Sequence, residues 1–373
     1  GRSSPFPSLH SMTISSLNIR SVRNLSSVSL APSPRINIFS GANGSGKTSM
    51  LEAIHLLGLA RSFRTSKVRH MIQSGDPIAT VQGQVDALDS GLTQTLGVER
   101  DLDGGTRVRF AGGDIDLATL AELMPLQIID SATFNLLDGS PAIRRQFLDW
   151  GVFHADKAFI QLWRGFRRVL KQRNSLLKCG KIGHQMRAAW DHEFVGFAEQ
   201  ITRLRKEYLQ LLTPEFETIA GQLLPTQDIS IGFSPGWDMK RPLDELLAAG
   251  FERDLRQGFT SVGPQRADLR VKVDGHSAAE RLSRGQKKLA VSALKLAQGA
   301  LFYRMTGRPC IYLIDDLPSE LDATHCQLFC QFVEQMTSQC FITCVDATTL
   351  AYDWQTHTDV KLFRINDGQI TPE

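Results

Sequence analysis

"INIFSGANGSGKTSMLEAIHLL", residues 36–57, reads as an apolar strand ending at Phe39, a glycine-rich loop, and a helix with Leu51, Ile54 and Leu57 on one side. Gly41, Gly46, Lys47 and Thr48 fill the pattern G-x-x-x-x-G-K-[ST] between that strand and that helix. Glycines allow such a loop to wrap a phosphate with its backbone N–H groups turned inward, and the helix N-terminus adds favourable partial positive charge. A cradle is therefore expected from Gly41, Ala42, Asn43, Gly44, Ser45, Gly46, Lys47, Thr48 and Ser49. Lys47 would reach the β and γ phosphates of a bound ATP, and the Thr48 hydroxyl would bind Mg²⁺. The competing reading is a chance match in a Gly/Ser loop; the strand and helix on either side argue against it.

A second partner for Mg²⁺ lies far downstream. In "PCIYLIDDLPSELDA", residues 309–323, the apolar run Ile311–Ile314 reads as a buried parallel strand and is followed by Asp315 and Asp316. The C-terminal edge of such a strand is where open α/β sheets place ligand chemistry. Asp315 would hold the metal, and Asp316 would orient or deprotonate the water that attacks the γ-phosphate. Two acids ending a strand at a turn would be the plainer explanation if the glycine loop were absent.

Composition bounds the rest. At 373 residues, one large domain with an insertion, or two domains, is expected. The chain has 42% hydrophobic and 22% charged residues, as ordinary globular proteins do, and no apolar run approaches the roughly 18 residues of a membrane span. The stretch "GRSSPFPSLHS" before Met12 lacks the apolar centre of a secretory signal and reads as an expression remnant, so a cytoplasmic location is the default. The six cysteines include no CxxC pair; buried reduced thiols are expected rather than a zinc site. Net charge is only +3, but residues 138–208 hold 14 Lys and Arg against 7 Asp and Glu.

"LSRGQKKLAVSALKL", residues 282–296, begins an amphipathic helix, with Ser283 placed to cap it and Gln286 three residues on to answer the cap. A helix N-terminus with a serine hydroxyl and a glycine permitting close approach is a second ready-made phosphate site. "LSRGQ" is similar to the LSGGQ signature of ATP-binding-cassette ATPases, with Arg284 replacing the first glycine. That resemblance implies two heads bound face to face, Ser283, Arg284, Gly285 and Gln286 of one covering the γ-phosphate held by the other. Arg284 would add charge there or point to solvent. The resemblance further implies that Gln127 in "LMPLQIIDS" is the Q-loop glutamine reaching Mg²⁺ and the attacking water. It also makes "SELD", Ser319 to Asp322, the D-loop that crosses the dimer interface. Where transporter cassettes carry a switch histidine, "CFITCVDATT" offers Thr343, Cys344 and Asp346; with aspartate rather than glutamate at 316, slow hydrolysis is expected.

About 155 residues separate Gln127 from Ser283, and much of that span is helical in pattern, with Phe147, Trp150, Phe159, Leu162, Trp163, Phe166 and Leu170 spaced by threes and fours. Two long amphipathic stretches suggest a short antiparallel helical lobe. Three further stretches, "LLDGSPAIRRQFLDWGVFH" (136–154), "SVGPQRADLRV" (261–271) and "LIDDLPSELD" (313–322), complete a close resemblance to the RecF family of bacterial DNA-repair proteins, from Met12 onward. It implies an α/β fold, a P-loop ABC-type ATPase head with a mixed sheet flanked by helices and an inserted helical second lobe. The expected division is 12–130 and 259–373 for the head and 131–258 for the lobe. It also implies a weak DNA-dependent ATPase that dimerises on ATP, binds double-stranded DNA at gaps or junctions, and works with RecR and RecO in helping RecA load onto single strands.

The DNA contacts are less defined. Arg164, Arg167, Arg168 and Lys171 lie beside aromatics on one predicted helix and could meet phosphates, or they could be its solvated face. Two functions remain open: an ATPase whose hydrolysis times release from DNA, or an ATP-gated clamp or scaffold in which hydrolysis is incidental. A transporter subunit is a weaker third, opposed by the missing histidine and the basic insertion.

Overall fold

Apolar and polar residues alternate in β1 (Met12–Val22), which buries Leu17 and Ile19 and leaves Asn18 and Arg20 exposed. In the computed structural model, which describes residues 12–87, 91–180 and 183–373, the expected remnant at 1–11 lies outside the described residues. β2 (Leu25–Leu30), β3 (Ile36–Ser40), helix α1 (Lys47–Leu59) and the short α2 (Val68–Met71) follow. Next come β4 (Ile78–Ala87), β5 (Leu92–Asp101), β6 (Thr106–Phe110), β7 (Gly113–Asp114), α3 (Leu117–Leu123) and β8 (Leu126–Ile129). A second group contains α4 (Pro141–Ala155), α5 (Phe159–Cys179), α6 (His184–Leu223), β9 (Ile229–Ser234), α7 (Leu243–Ala249), α8 (Phe251–Gln257), β10 (Asp268–Val273), β11 (His276–Ser277) and α9 (Ala278–Arg281). The chain ends with α10 (Arg284–Thr306), β12 (Ile311–Asp315), α11 (Leu317–Glu320), α12 (Ala323–Gln335), β13 (Gln339–Cys344), β14 (Val360–Asn366) and β15 (Gln369–Pro372).

Two compact units result, one running up to Phe134 and resuming at Lys288–Glu373, the other Asn135–Lys287. The first holds an antiparallel sheet in the order β2-β1-β4-β5-β6-β7 and a second sheet in the order β15-β14-β3-β13-β12-β8, parallel except for the terminal β14–β15 hairpin. α1 touches strands of both sheets. Its sequence suggested a single apolar side, yet 11 of its 13 residues are buried, Glu52 and His55 among them. These two buried polar groups are answered: Glu52 by Arg23 at 2.7 Å and Ser62, and His55 by donation from Nδ1 to the Arg61 carbonyl at 2.6 Å.

The second unit packs α4, α5 and α6 with the sheet β11-β10-β9. The first amphipathic stretch divides at Asp156, which ends α4, so three helices form rather than two. The lobe also extends beyond the expected boundary at 258, because β10 pairs with β9 and is clamped to α4. Arg144 grips Asp268 with two nitrogens at 2.7 and 3.1 Å while also donating to the carbonyls of Leu136, Leu137 and Gly139. Arg205, fully buried, makes the same two-pronged contact with Asp149 and donates to the Pro264 carbonyl. The stretches 136–154 and 261–271 are thus two sides of one part-buried ionic clamp, and removing a single partner would leave the other's charge uncompensated. Among the described residues no helix is long and apolar enough to cross a membrane.

Burial lowers the His55 pKa from 6.5 to about 4, because stripping water from a protonated ring costs more than its hydrogen bond to the Arg61 carbonyl returns. The unfolded chain therefore takes up this proton first as pH falls. Stability from this group is complete above about pH 6.5 and declines towards pH 4, by up to ~3 kcal/mol. Urea unfolding of wild type and His55→Gln at pH 7.5 and 5 checks this: the wild type should lose more stability between the two than the variant does.

Candidate functional site

The loop between β3 and α1 is held open by its own backbone. Gly44 and Gly46 have φ of 81° and 112°, where side chains are strained, and a Cβ on Gly41 would strike the Ile365 carbonyl. Ala42, Asn43 and Gly44 form the exposed tip, while Ser45, Gly46, Lys47 and Ser49 are buried. Among the described residues, the Lys47 ammonium and the Ser45 hydroxyl are buried with no hydrogen-bond partner. An unpaired buried ammonium is costly, and a phosphate oxygen is the partner that its position at the helix start invites. The cleft in front of it has a volume of about 750 Å³ and is lined wholly by the first unit, Asp315 and Asp316 included.

Asp315 ends β12, and the Thr48 hydroxyl donates to its two oxygens at 3.1 and 3.3 Å. Hydroxyl and carboxylate together make a hard oxygen pair suited to Mg²⁺. Asp316 follows with φ 50° and ψ 52°, a left-handed conformation that turns the chain sharply out of the strand and into α11. These residues fit a Mg²⁺-bound triphosphate.

Gln127 is placed elsewhere. It lies inside β8, buried, its amide donating to Gln298 at 2.9 Å and its carbonyl accepting from Lys295 at 3.2 Å. In the parallel register Gln127 stands beside Tyr312, three residues before Asp315 and so about 10 Å short of the strand end. In this arrangement Gln127 is thus set back from the Thr48–Asp315 pair. Ile129 pairs with Ile314, so it is Asp130, the next residue, that reaches the level of Asp315.

The signature stretch has the expected cap. The Ser283 hydroxyl accepts from the Gln286 backbone N–H at 3.2 Å, and the Gln286 side-chain Oε1 accepts from the Ser283 N–H at 2.9 Å. Ser283, Arg284 and Gly285 are exposed at this helix start. Asp322 caps α12; the His325 N–H and ring hold its carboxyl below the usual range. On α5, Arg164, Arg167, Arg168 and Lys171 are all exposed, with Phe166 and Val169 on the buried side. Arg173, indistinguishable from them in sequence, is buried between Asp191 and Asp254.

The sequence model described as "RecF/RecN/SMC N terminal domain" matches residues 13–369. The chain belongs to the RecF family. It is 48% identical over 361 residues to the DNA replication and repair protein RecF of Pseudomonas syringae pv. syringae (strain B728a), covering 96% of this chain and 98% of that one. The RecF of Stutzerimonas stutzeri (strain A1501) is 49% identical over the same length, 96% of this chain and 97% of that one. Among solved structures, the recombination mediator protein RecF with ATP superposes with a TM-score of 0.86 at 23% identity, covering all of both chains. An Smc head bound to the C-winged helix domain of ScpA gives 0.59 at 15%, covering 97% of each. These two likenesses concern the fold alone, a mixed α/β architecture.

Several residues of this RecF-family cleft escaped sequence reasoning. Arg23, Arg64, Arg69 and His70 line it, and Arg23 is fixed there by the buried Glu52 carboxylate at 2.7 and 3.1 Å. The basic run in "RSFRTSKVRH", residues 61–70, was the available signal. The burial of Gln127 makes its own prediction. Gln127→Leu should leave Gln298 and Lys295 short of a partner and lower unfolding stability by ~1–3 kcal/mol. Nucleotide affinity, measured by fluorescent-ATP titration, should stay unchanged.

Proposed function

We propose that this RecF-family chain binds ATP with Mg²⁺ in the cleft, pairs with a second copy across the two nucleotides, and engages double-stranded DNA at gaps or junctions in recombinational repair. The observation that carries it is the buried, unpartnered Lys47 ammonium beside the Thr48–Asp315 pair. Lys47 would neutralise the β and γ phosphates, Thr48 and Asp315 would hold Mg²⁺, and Asp316 would orient the attacking water or take its proton. Mg²⁺ supplies charge neutralisation at the γ-phosphate when bound. The exposed Ser283, Arg284 and Gly285, with Gln286 and Asp322, would complete the site of the second copy. Together with RecO and RecR, such a pair would help RecA load on single strands in the cytoplasm, with slow, DNA-dependent hydrolysis timing release.

A second reading, an ATP-gated clamp with incidental hydrolysis, draws on the end of β13, where no histidine stands and Thr343 and Cys344 are buried. Sedimentation of the wild type with Mg·ATP should give a dimer, and monomer only would overturn the shared-site reading. Ser283→Arg should bind ATP and stay monomeric, and Lys47→Met should bind ATP at least ~10-fold more weakly. Asp316→Asn separates the two readings: a timed switch becomes trapped on DNA and loses repair, while a clamp keeps it.

The exposed stripe on α5 carries its own test. Replacing Arg164, Arg167, Arg168 and Lys171 by Ala should reduce the slope of log affinity against log salt by roughly 3–4 if all four meet phosphates. An unchanged slope removes them from the footprint.

A further inference from the structure

Resting on the ATP and Mg²⁺ reading of the cleft, we propose that Thr343 is a positioning residue for both site carboxylates, fixing the oxygen Asp315 presents to the metal and the exit angle of Asp316. Thr343 sits on β13 directly opposite Asp315 in the parallel register and is fully buried. Its hydroxyl donates to Asp315 Oδ1 at 2.6 Å and accepts from the Asp316 N–H at 3.0 Å. The polarity of this relay is forced. An ionised carboxylate only accepts and an amide N–H only donates, so the single hydroxyl proton must point to Asp315.

Each carboxylate is affected differently. On Asp315 both oxygens lie within reach of Thr48, at 3.3 and 3.1 Å, but Oδ1 also takes the short bond from Thr343, which leaves Oδ2 with more lone-pair capacity for a metal. Should the Thr48 hydroxyl turn to a metal, Thr343 alone would keep Asp315 from rotating. For Asp316, the left-handed backbone at φ 50° is a sparsely populated conformation that surrounding bonds must hold. Its N–H is held twice from one residue, by the Thr343 carbonyl at 3.0 Å and by the hydroxyl at the same distance. The end of β13 thus supplies, through a hydroxyl, a fixed support for both acids.

Removing the hydroxyl while keeping the shape isolates the effect. In Thr343→Val, binding of a fluorescent ATP analogue in EDTA should match the wild type. The Mg²⁺ concentration that half-saturates its metal-dependent tightening should rise by about 10-fold or more, the usual cost of losing a partner of a metal-holding carboxylate. The hydrolysis kcat should fall with KM little changed. Thr343→Ser, which retains the donor, should restore both, an outcome a purely structural role for the methyl would not give. Should the valine variant lose its melting transition, Thr343→Ala is read with the same expectations. A half-saturating Mg²⁺ within about twofold of wild type in the valine or alanine variant overturns the proposal, since so small a factor is well under 1 kcal/mol. So does failure of the serine variant to restore it. A wild type that binds no nucleotide removes the ATP reading, and this proposal with it; the wild-type titration therefore separates the two failures.

Discussion

Burial of α1 on nearly every side is the constraint on which the first unit depends. Eleven of its 13 residues are covered, and it contacts strands of both the antiparallel and the parallel sheet. A helix held this way cannot shift without repacking two sheets, so the loop that precedes it is fixed in space. The same burial explains two otherwise awkward side chains. Glu52 and His55 can sit inside only because Arg23, Ser62 and the Arg61 carbonyl meet them, and those partners anchor the turn after β1 and the segment after α1. Arg23, Arg64, Arg69 and His70, which line the cleft beside Lys47, are carried by those two segments.

In the second unit, arginine–carboxylate pairs fasten the elements that surround an apolar core including Phe147, Phe166, Phe194, Leu212 and Phe216. Arg144, Arg173 and Arg205 each meet carboxylates from a distant part of the chain. Such pairs add little net stability against an apolar substitute, because desolvation offsets the Coulomb gain. Their consequence here is positional. They fasten α4 to β10, and α5 to α8, at one register, and so make 136–154 and 261–271 act as a single structural feature. Within a RecF-family protein, those stretches are better explained by this clamp than by contact with a ligand.

Local chemistry was legible in the sequence. Glycines at positive φ, a lysine and a threonine at a helix start, four apolar residues before two acids, and a serine three residues from a glutamine each announce their structure over a few residues. The family, the P-loop, the acidic strand and the capped helix at Ser283 were all readable for this reason. Gln127 was not, because its place depends on the register of β8 against β12, and motif spacing carries no information about register. Nor could the buried Arg173 be told from its exposed neighbours within one amphipathic helix.

What the sequence determined by itself, then, was the set of short-range devices: the glycine-rich loop, the paired acids and the cap. What only the tertiary structure decided was how they meet. Thr48 and Asp315 are 267 residues apart, and Asp315 and Thr343 are 28 apart on adjacent strands. A side chain's type fixes what it can donate or accept, but the strand order and parallel register fix which groups come within hydrogen-bond reach of it. Those are properties of the packed chain as a whole.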